Sequence, residues 1–259
     1  MSKVKYDAKA ARETDRSYLN PEIINQRLKT VEAMALRVGE RVLDAGCGTG
    51  LLTELIASQV GDSGHVTGLD TSQDMLDFAE PRCQPLGNVD LRQGSVTQLD
   101  FADNSFDAAS CVQTLLYVDE VETAVSELHR VLKPRGRVAI LETDWRGVVI
   151  NSPDHALTRR MLDAWDETVS SPNLPTKLIP MLHKAGFSGI RAQAIPILNA
   201  SYNENSFGGS MLKYMANNAV KHKILDRDGA DQWLQSIADL ADHQAFFFCV
   251  NRFLFTAIK

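Results

Sequence analysis

The 259-residue sequence has no apolar run long enough to cross a bilayer, and its first twenty residues, MSKVKYDAKAARETDRSYLN, hold no apolar core of the signal-peptide type. The expectation is a cytoplasmic protein with no membrane partner. Positive charge is also short. Lys and Arg number 27 against 33 Asp and Glu, giving a formal net charge of -6, and the cations are spread along the chain rather than gathered in blocks. A nucleic-acid partner is therefore not expected. The four cysteines, Cys47, Cys83, Cys111 and Cys249, include no C-x-x-C pair, which fits neither a disulfide framework nor a zinc site. The six histidines are equally scattered, none with a second His or Cys at ligand spacing, so no metal site is expected.

What remains is an ordinary globular composition, 44% apolar and 23% charged. The length suits one large domain, and no repeat or low-complexity linker divides it. From Arg41 onward, short apolar runs alternate with amphipathic stretches of helical length, the pattern of β-α-β units building a parallel sheet. The runs are RVLDA (41–45), HVTGLD (65–70), VDLRQG (89–94), FDAASCV (106–112) and RVAILET (137–143). Between them, helices are expected from Thr49 to Val60, after Thr71 or Ser72 up to Pro81, and over 119–136, where the closing KPRG reads as a turn. A long helical segment at 152–169 reads as an insertion. The scaffold then resumes with a helix ending at Gly186 and a strand near Ile190 to Leu198. Two further helices, about Glu204 to His222 and Gly229 to Ala241, precede an aromatic-rich final strand and suggest a lid.

The stretch RVLDAGCGTG (41–50) carries the chemistry. In open α/β sheets, ligands bind beyond the carboxyl ends of the strands where strand order reverses, and the first strand-loop-helix unit lies there. Gly46, Gly48 and Gly50 let the backbone turn sharply and approach a ligand closely. The dinucleotide fingerprint G-x-G-x-x-G needs a small residue where this chain has Leu51, and Asp44 before the loop would repel a pyrophosphate. A positively charged ligand suits the loop better, and S-adenosylmethionine is one: a sulfonium and an ammonium on a neutral nucleoside. Asp44 can attract the ammonium end, Asp70 can take both ribose hydroxyls, and Met75 can cover an adenine face. Cys47, within the same loop, reads as a small packing residue rather than a nucleophile.

With GLDTSQDML (68–76), GSV (94–96) and LHRVLKPRGRVAILE (128–142) following VLDAGCGTG in order, the chain resembles the class I S-adenosylmethionine-dependent methyltransferases over about residues 38–145. The resemblance implies a doubly wound, Rossmann-like α/β sheet of seven strands, the last inserted antiparallel beside the sixth. One domain, 1–259, would then hold a cofactor core at about 38–145 and lid insertions at about 146–175 and 200–243. It places Asp44 and the glycines near the methionine part, Asp70 on the ribose, Met75 and Val96 about the adenine, and Gln113 after the fourth strand. Thr71, Gly94 and Ser95 complete the implied site. Ser95 stands where family members often have an aspartate for the adenine amine. Tyr6 and Tyr18 could close over the cofactor as a flap, and a plain packing helix explains them as well.

The acceptor is less legible. Transfer from a sulfonium is an in-line displacement, and a base is required only when the nucleophile must lose a proton. The expected chamber residues are Asp144, Trp145, His155, Asn199, Tyr202 and Phe207. Asp144 reads as a substrate-facing acid and His155 as a base, each against the plainer reading of a cap or first-turn residue. The stretch CVQTLLYV after the fourth strand lacks the Asn/Asp-Pro-Pro-aromatic tetrad of the exocyclic-amine branch. The similarity runs instead to quinone C-methyltransferases and other small-molecule enzymes, including those of secondary metabolism. The expected substrate is thus a small, apolar or aromatic molecule, methylated on O, N or C. An inactive scaffold of the same fold and an NAD-dependent dehydrogenase are the alternatives, and a homodimer stays open.

Overall fold

The structure, a computed structural model, describes residues 7–259. Tyr6 lies outside the described residues. Seven strands form a single sheet: β1 (Arg41–Ala45), β2 (His65–Asp70), β3 (Val89–Gln93), β4 (Phe106–Val112), β5 (Leu132–Ile150), β6 (Ser188–Asn199) and β7 (Phe248–Ile258). Their order is β3-β2-β1-β4-β5-β7-β6, with β7 antiparallel to both neighbours and the first five strands parallel. The chain runs outward from β1 to β3, then returns to the other side of β1 to lay down β4 and β5. The reversal point therefore lies between β1 and β4.

β1, β2 and β4 are apolar on both faces because helices cover both. On one face, α2 (Pro21–Met34) and α3 (Leu51–Val60) bury Met34, Ile56 and Val60 against Val42, Val66 and Leu141. On the other, α5 (Val121–Val131) and α7 (Pro175–Lys184) bury Leu128, Val131 and Leu178 against Leu43, Ala109 and Ile140. The 3.6-residue spacing of Val121, Ala124, Val125 and Leu128 gives α5 its single apolar stripe.

Several boundaries differ from expectation. α3 begins at Leu51 rather than Thr49, because Gly50 caps it in the left-handed region at φ +79°. α4 (Gln73–Cys83) continues through Pro81. The proline forfeits a helical hydrogen bond in the last turn, but Ala79 and Cys83 are buried on either side of it, and this packing carries the helix two residues further. α5 stops at Val131, and KPRG (133–136), expected as a turn, lies within β5, which also extends well beyond 137–143. Its extra length follows from β7: after a bulge at 145–148, Val149 and Ile150 resume pairing with Cys249 and Phe248.

The remaining helices gather at one edge. α6 (His155–Asp166) leaves from the carboxyl end of β5, and α8 (Phe207–Lys221) from that of β6. α9 (Arg227–Asp239) packs on α8, which in turn packs on α6, while α1 (Ala8–Tyr18) lies against α4 and α8. All of them stand at the edge that carries the glycine loop.

Candidate active site

The loop leaving β1 turns at three glycines, each for its own reason. Gly46 (φ +80°) sits so close to Thr114 that a Cβ would lie 2.0 Å from Oγ1. Gly48 (φ +54°) has nothing within 4 Å of where a Cβ would stand, and it lines a cavity of about 820 Å³. Gly50 packs under α4, its would-be Cβ 3.0 Å from Ala79 Cβ and Cys83 Sγ. The Gly46 and Cys47 amides donate to the Leu69 carbonyl at 2.7 and 3.0 Å, stitching the loop to β2.

Two carboxylates face this loop. Asp44, at the end of β1, is buried and accepts from Thr53 Oγ1 at 2.7 Å and Ser110 Oγ at 2.8 Å. Burial pushes its pKa up to about 6, against those two hydrogen bonds. Asp70, at the end of β2, accepts from the Gly48 amide at 2.9 Å and the Ser72 amide at 2.9 Å, so its plane is fixed at the loop. Desolvation raises its pKa as well. Neither forms an ion pair with a Lys, Arg or His among the described residues. Each oxygen still has a free lone-pair direction toward a ligand. This donor set fits a cation joined to a vicinal diol and is wrong for a pyrophosphate.

The cavity continues along α4 and the loop after β3, where Met75, Val96 and Leu69 offer an apolar slot. Ser95 is folded onto its own loop, paired with Thr97 Oγ1 at 2.8 Å and accepting from the Thr97 amide at 3.2 Å. The other end of the cavity runs between α1, α2 and the loop after β4, lined by Tyr18, Ile23, Gln26, Thr30, Thr114 and Tyr117.

The glycine loop, the acid at the tip of β2 and the apolar slot recur in known proteins. A family model described as a methyltransferase domain matches residues 43–140. Residues 43–140 are thus similar to a methyltransferase domain. Among curated relatives, demethylmenaquinone methyltransferase of Lysinibacillus sphaericus is 40% identical over 120 residues, covering 46% of this chain and 51% of that protein. An uncharacterised 37.1 kDa protein in transposon TN4556 of Streptomyces fradiae is 33% identical over 159 residues, covering 61% of this chain and 46% of that protein. The chain thus spans about half the length of the curated relatives it matches. In fold it is similar to YcgJ of Bacillus subtilis, at TM-score 0.64 and 20% identity over 91% of this chain and 98% of that one. It is also similar to phosphoethanolamine N-methyltransferase 2 of Haemonchus contortus, at TM-score 0.65 and 19% identity over 98% of this chain and 58% of that one.

Within residues 43–140 and their flanks, the cavity gathers Tyr18, Asp44, Gly46, Cys47, Gly48, Asp70, Thr71, Met75, Gly94, Ser95, Val96 and Gln113. Gly50 is the exception among the expected cofactor residues, being a packing glycine behind the loop. The Cys47 thiol is held well above its usual pKa by burial and the nearby Asp44 carboxylate, which suits packing rather than nucleophilic attack. Gln113, at φ +53°, turns its amide away to β5, accepting from Thr143 Oγ1 at 2.6 Å.

The expected chamber residues are not brought to this cavity. Asp144 sits at the β5 bulge, where its Oδ1 accepts from the Arg146 amide at 3.2 Å. His155 is an exposed first residue of α6, behind the Asp154 cap. Trp145 stacks edge-on with Trp165 at 5.4 Å, and Tyr202 with Phe246 at 5.3 Å. Asn199 accepts from the Gly208 amide at 2.8 Å and donates to Glu22, and Phe207 lies against the Arg252 guanidinium. The insertions fold mainly on one another, so their polar residues satisfy each other instead of the cavity.

Sequence reasoning passed over polar residues at or behind the α1–α2 end of the cavity. Gln26 and Thr30 interrupt the buried face of α2 formed by Ile23, Val31 and Met34, four residues apart. Arg252 interrupts the apolar run AFFFCVNRFLF and is fully enclosed. A polar residue inside an otherwise apolar face was the available signal in both cases.

Proposed function

We propose that the chain is an S-adenosylmethionine-dependent methyltransferase acting on a small molecule with an apolar or aromatic body. The observation carrying this reading is the pair of carboxylates, buried Asp44 and half-buried Asp70, that meet one cavity with neither paired to a Lys, Arg or His among the described residues. Asp44 would hold the ammonium end, Asp70 the ribose diol, and Met75, Val96 and Leu69 the adenine. When bound, S-adenosylmethionine supplies a methyl group on a sulfonium with a good leaving group. The protein's part is to fix the cofactor's orientation, leave one open direction toward Tyr18, Gln26, Thr30 and Tyr117, and exclude water there.

Relatives named for demethylmenaquinone, and the resemblance to a geranyl diphosphate methyltransferase in fold, support an acceptor with an apolar body. Helices α6, α8 and α9 are read as a cover over the functional edge. Asp144 and His155 remain the acid and base expected from sequence, but their positions outside the cavity favour a transfer that alignment alone carries. A cytoplasmic location belongs with this reading. No helix among the described residues is long and apolar enough to cross a membrane.

The test is calorimetric titration of the full chain with S-adenosylmethionine and S-adenosylhomocysteine. Both should bind, and Asp70→Ala should weaken each by at least about tenfold, since it removes a charged acceptor of two hydroxyls. Unchanged affinity in Asp70→Ala would remove that residue from the site. No heat from either ligand on folded protein would remove the reading itself.

A further inference from the structure

The acceptor end of the cavity is backed by a buried cation with no matching anion. Arg252, on β7, is 2% exposed. Its guanidinium donates through Nη1 to Gln26 Oε1. The rings of Phe207 and Tyr18 lie 5.0 and 5.9 Å from its central carbon. Nε has no partner, and no carboxylate forms an ion pair with the guanidinium among the described residues. The acid with the nearest influence is Glu142, whose Oε1 is committed to the Thr114 and Leu115 amides at 3.1 and 2.7 Å. Burial raises its pKa to about 8, and it forms no ion pair with the guanidinium among the described residues. Arg27, the guanidinium that itself lines the cavity, differs in having Asp15 and Glu54 nearby to offset it.

Arg252 offers only donors, and this dictates how its neighbours are turned. Gln26 must present its carbonyl oxygen to the guanidinium. Its amide nitrogen is then directed away, and that nitrogen has no hydrogen-bond partner among the described residues while Gln26 lines the cavity. Tyr18, whose ring lies 5.9 Å from the guanidinium carbon, also lines the cavity, and its hydroxyl can donate there. Two donors, both polarised by one enclosed positive charge, thus share the wall where an acceptor would sit. Of the other acids lining the cavity, Asp44 and Asp70 stand at the glycine-loop end, and Asp7, Asp74, Asp119 and Glu120 are exposed and screened by water.

We propose that Gln26, oriented by Arg252, and Tyr18 form the acceptor-recognition corner of the cavity and take an anionic oxygen, that of an ionised phenol or enol or of a carboxylate. The proposal rests on the methyltransferase reading only in naming this ligand the methyl acceptor. Arg252 is a positioning residue, and Gln26 and Tyr18 make the contact.

Three ring-matched probes test it: 4-nitrophenolate, 4-nitrobenzoate and nitrobenzene, titrated near neutral pH into the full chain with and without saturating S-adenosylhomocysteine. At least one anion should bind about tenfold or more tightly than nitrobenzene, as expected for hydrogen bonds to a charged group, and the anion that does so names the source. Gln26→Glu keeps an oxygen on Arg252 but replaces the amide donors with a second oxygen. It should hold or raise the melting temperature and erase the preference, and Tyr18→Phe should reduce it. Equal or absent binding of the anions relative to nitrobenzene in the parent protein, or an intact preference in folded Gln26→Glu, overturns the proposal. Failure of S-adenosylhomocysteine to bind, with the anion preference present, would instead overturn the methyltransferase reading and leave the corner standing.

Discussion

At Gly46 a side chain would collide with Thr114, and the backbone is already in the left-handed region, so two penalties coincide. Gly46→Ala is expected to cost about 2–3 kcal/mol of stability. Gly48 shares the positive φ but faces open cavity, so Gly48→Ala should cost only about 1 kcal/mol. Its methyl group would intrude where a ligand lies and should weaken S-adenosylhomocysteine binding out of proportion to the stability lost. Thermal melts and calorimetry on the two variants separate these effects. Equal destabilisation, with equal loss of binding, would mean that the loop responds as one unit and that the cavity-facing position has no special role. The same residue-scale logic explains why Asp70 was legible from sequence and Arg252 was not: an acid at a strand tip announces a ligand, whereas a guanidinium inside an aromatic strand is visible only once α1 and α2 close over it.

Among the elements, β1, β2 and β4 match their sequence-predicted limits because each is a short apolar run bounded by turn residues and buried on both faces. Boundaries set by tertiary partners were not legible in the same way: β5 grows because β7 is there to pair with it, and α4 passes Pro81 because its last turn packs under the glycine loop. Most of the residues expected about the cofactor line one cavity because they lie on consecutive strand tips of one local pattern. The residues expected on the insertions do not line that cavity, whose far wall comes from α1 and α2, distant in sequence from the glycine loop. One side chain, Arg82, joins these parts. It donates to the Thr49 carbonyl and pairs with Asp15 of α1 at 3.1 Å and Glu54 of α3 at 3.5 Å. The pairing is part-buried, so Arg82→Met should cost about 1–3 kcal/mol and loosen α1 selectively. Hydrogen exchange should then rise across Ala8–Tyr18 while β1 and β4 stay protected. A uniform rise over the whole sheet would show that Arg82 supports global stability and does not latch this helix.

For the molecule as a whole, two buried acids set how stability depends on pH. Asp44 is held near 6 against an ordinary value of 3.8, and Glu142 near 8 against 4.5. In both, desolvation outweighs the hydrogen bonds that favour the charged form, so the folded state binds a proton more tightly than the unfolded chain does. The stability this confers is fully present below the ordinary values and is lost as pH rises through the folded ones. Asp44 contributes to the decline between about pH 4 and 6, and Glu142 extends it to about pH 8. Arg252 and the Thr114, Leu115 and Leu116 amides oppose the Glu142 shift without cancelling it. Glu142→Gln keeps the shape and leaves an oxygen for the Thr114 and Leu115 amides, but it cannot ionise. Denaturant melts of parent and variant across pH 5 to 9 should therefore diverge progressively from about pH 5 to about pH 8 and run parallel above it, the variant keeping the stability that the parent loses. Parallel curves throughout would show that Glu142 titrates alike in both states, and Arg252 would then have a charged carboxylate beside it at neutral pH. That outcome would also weaken the case for an anionic acceptor, because the enclosed positive charge would already be matched within the protein.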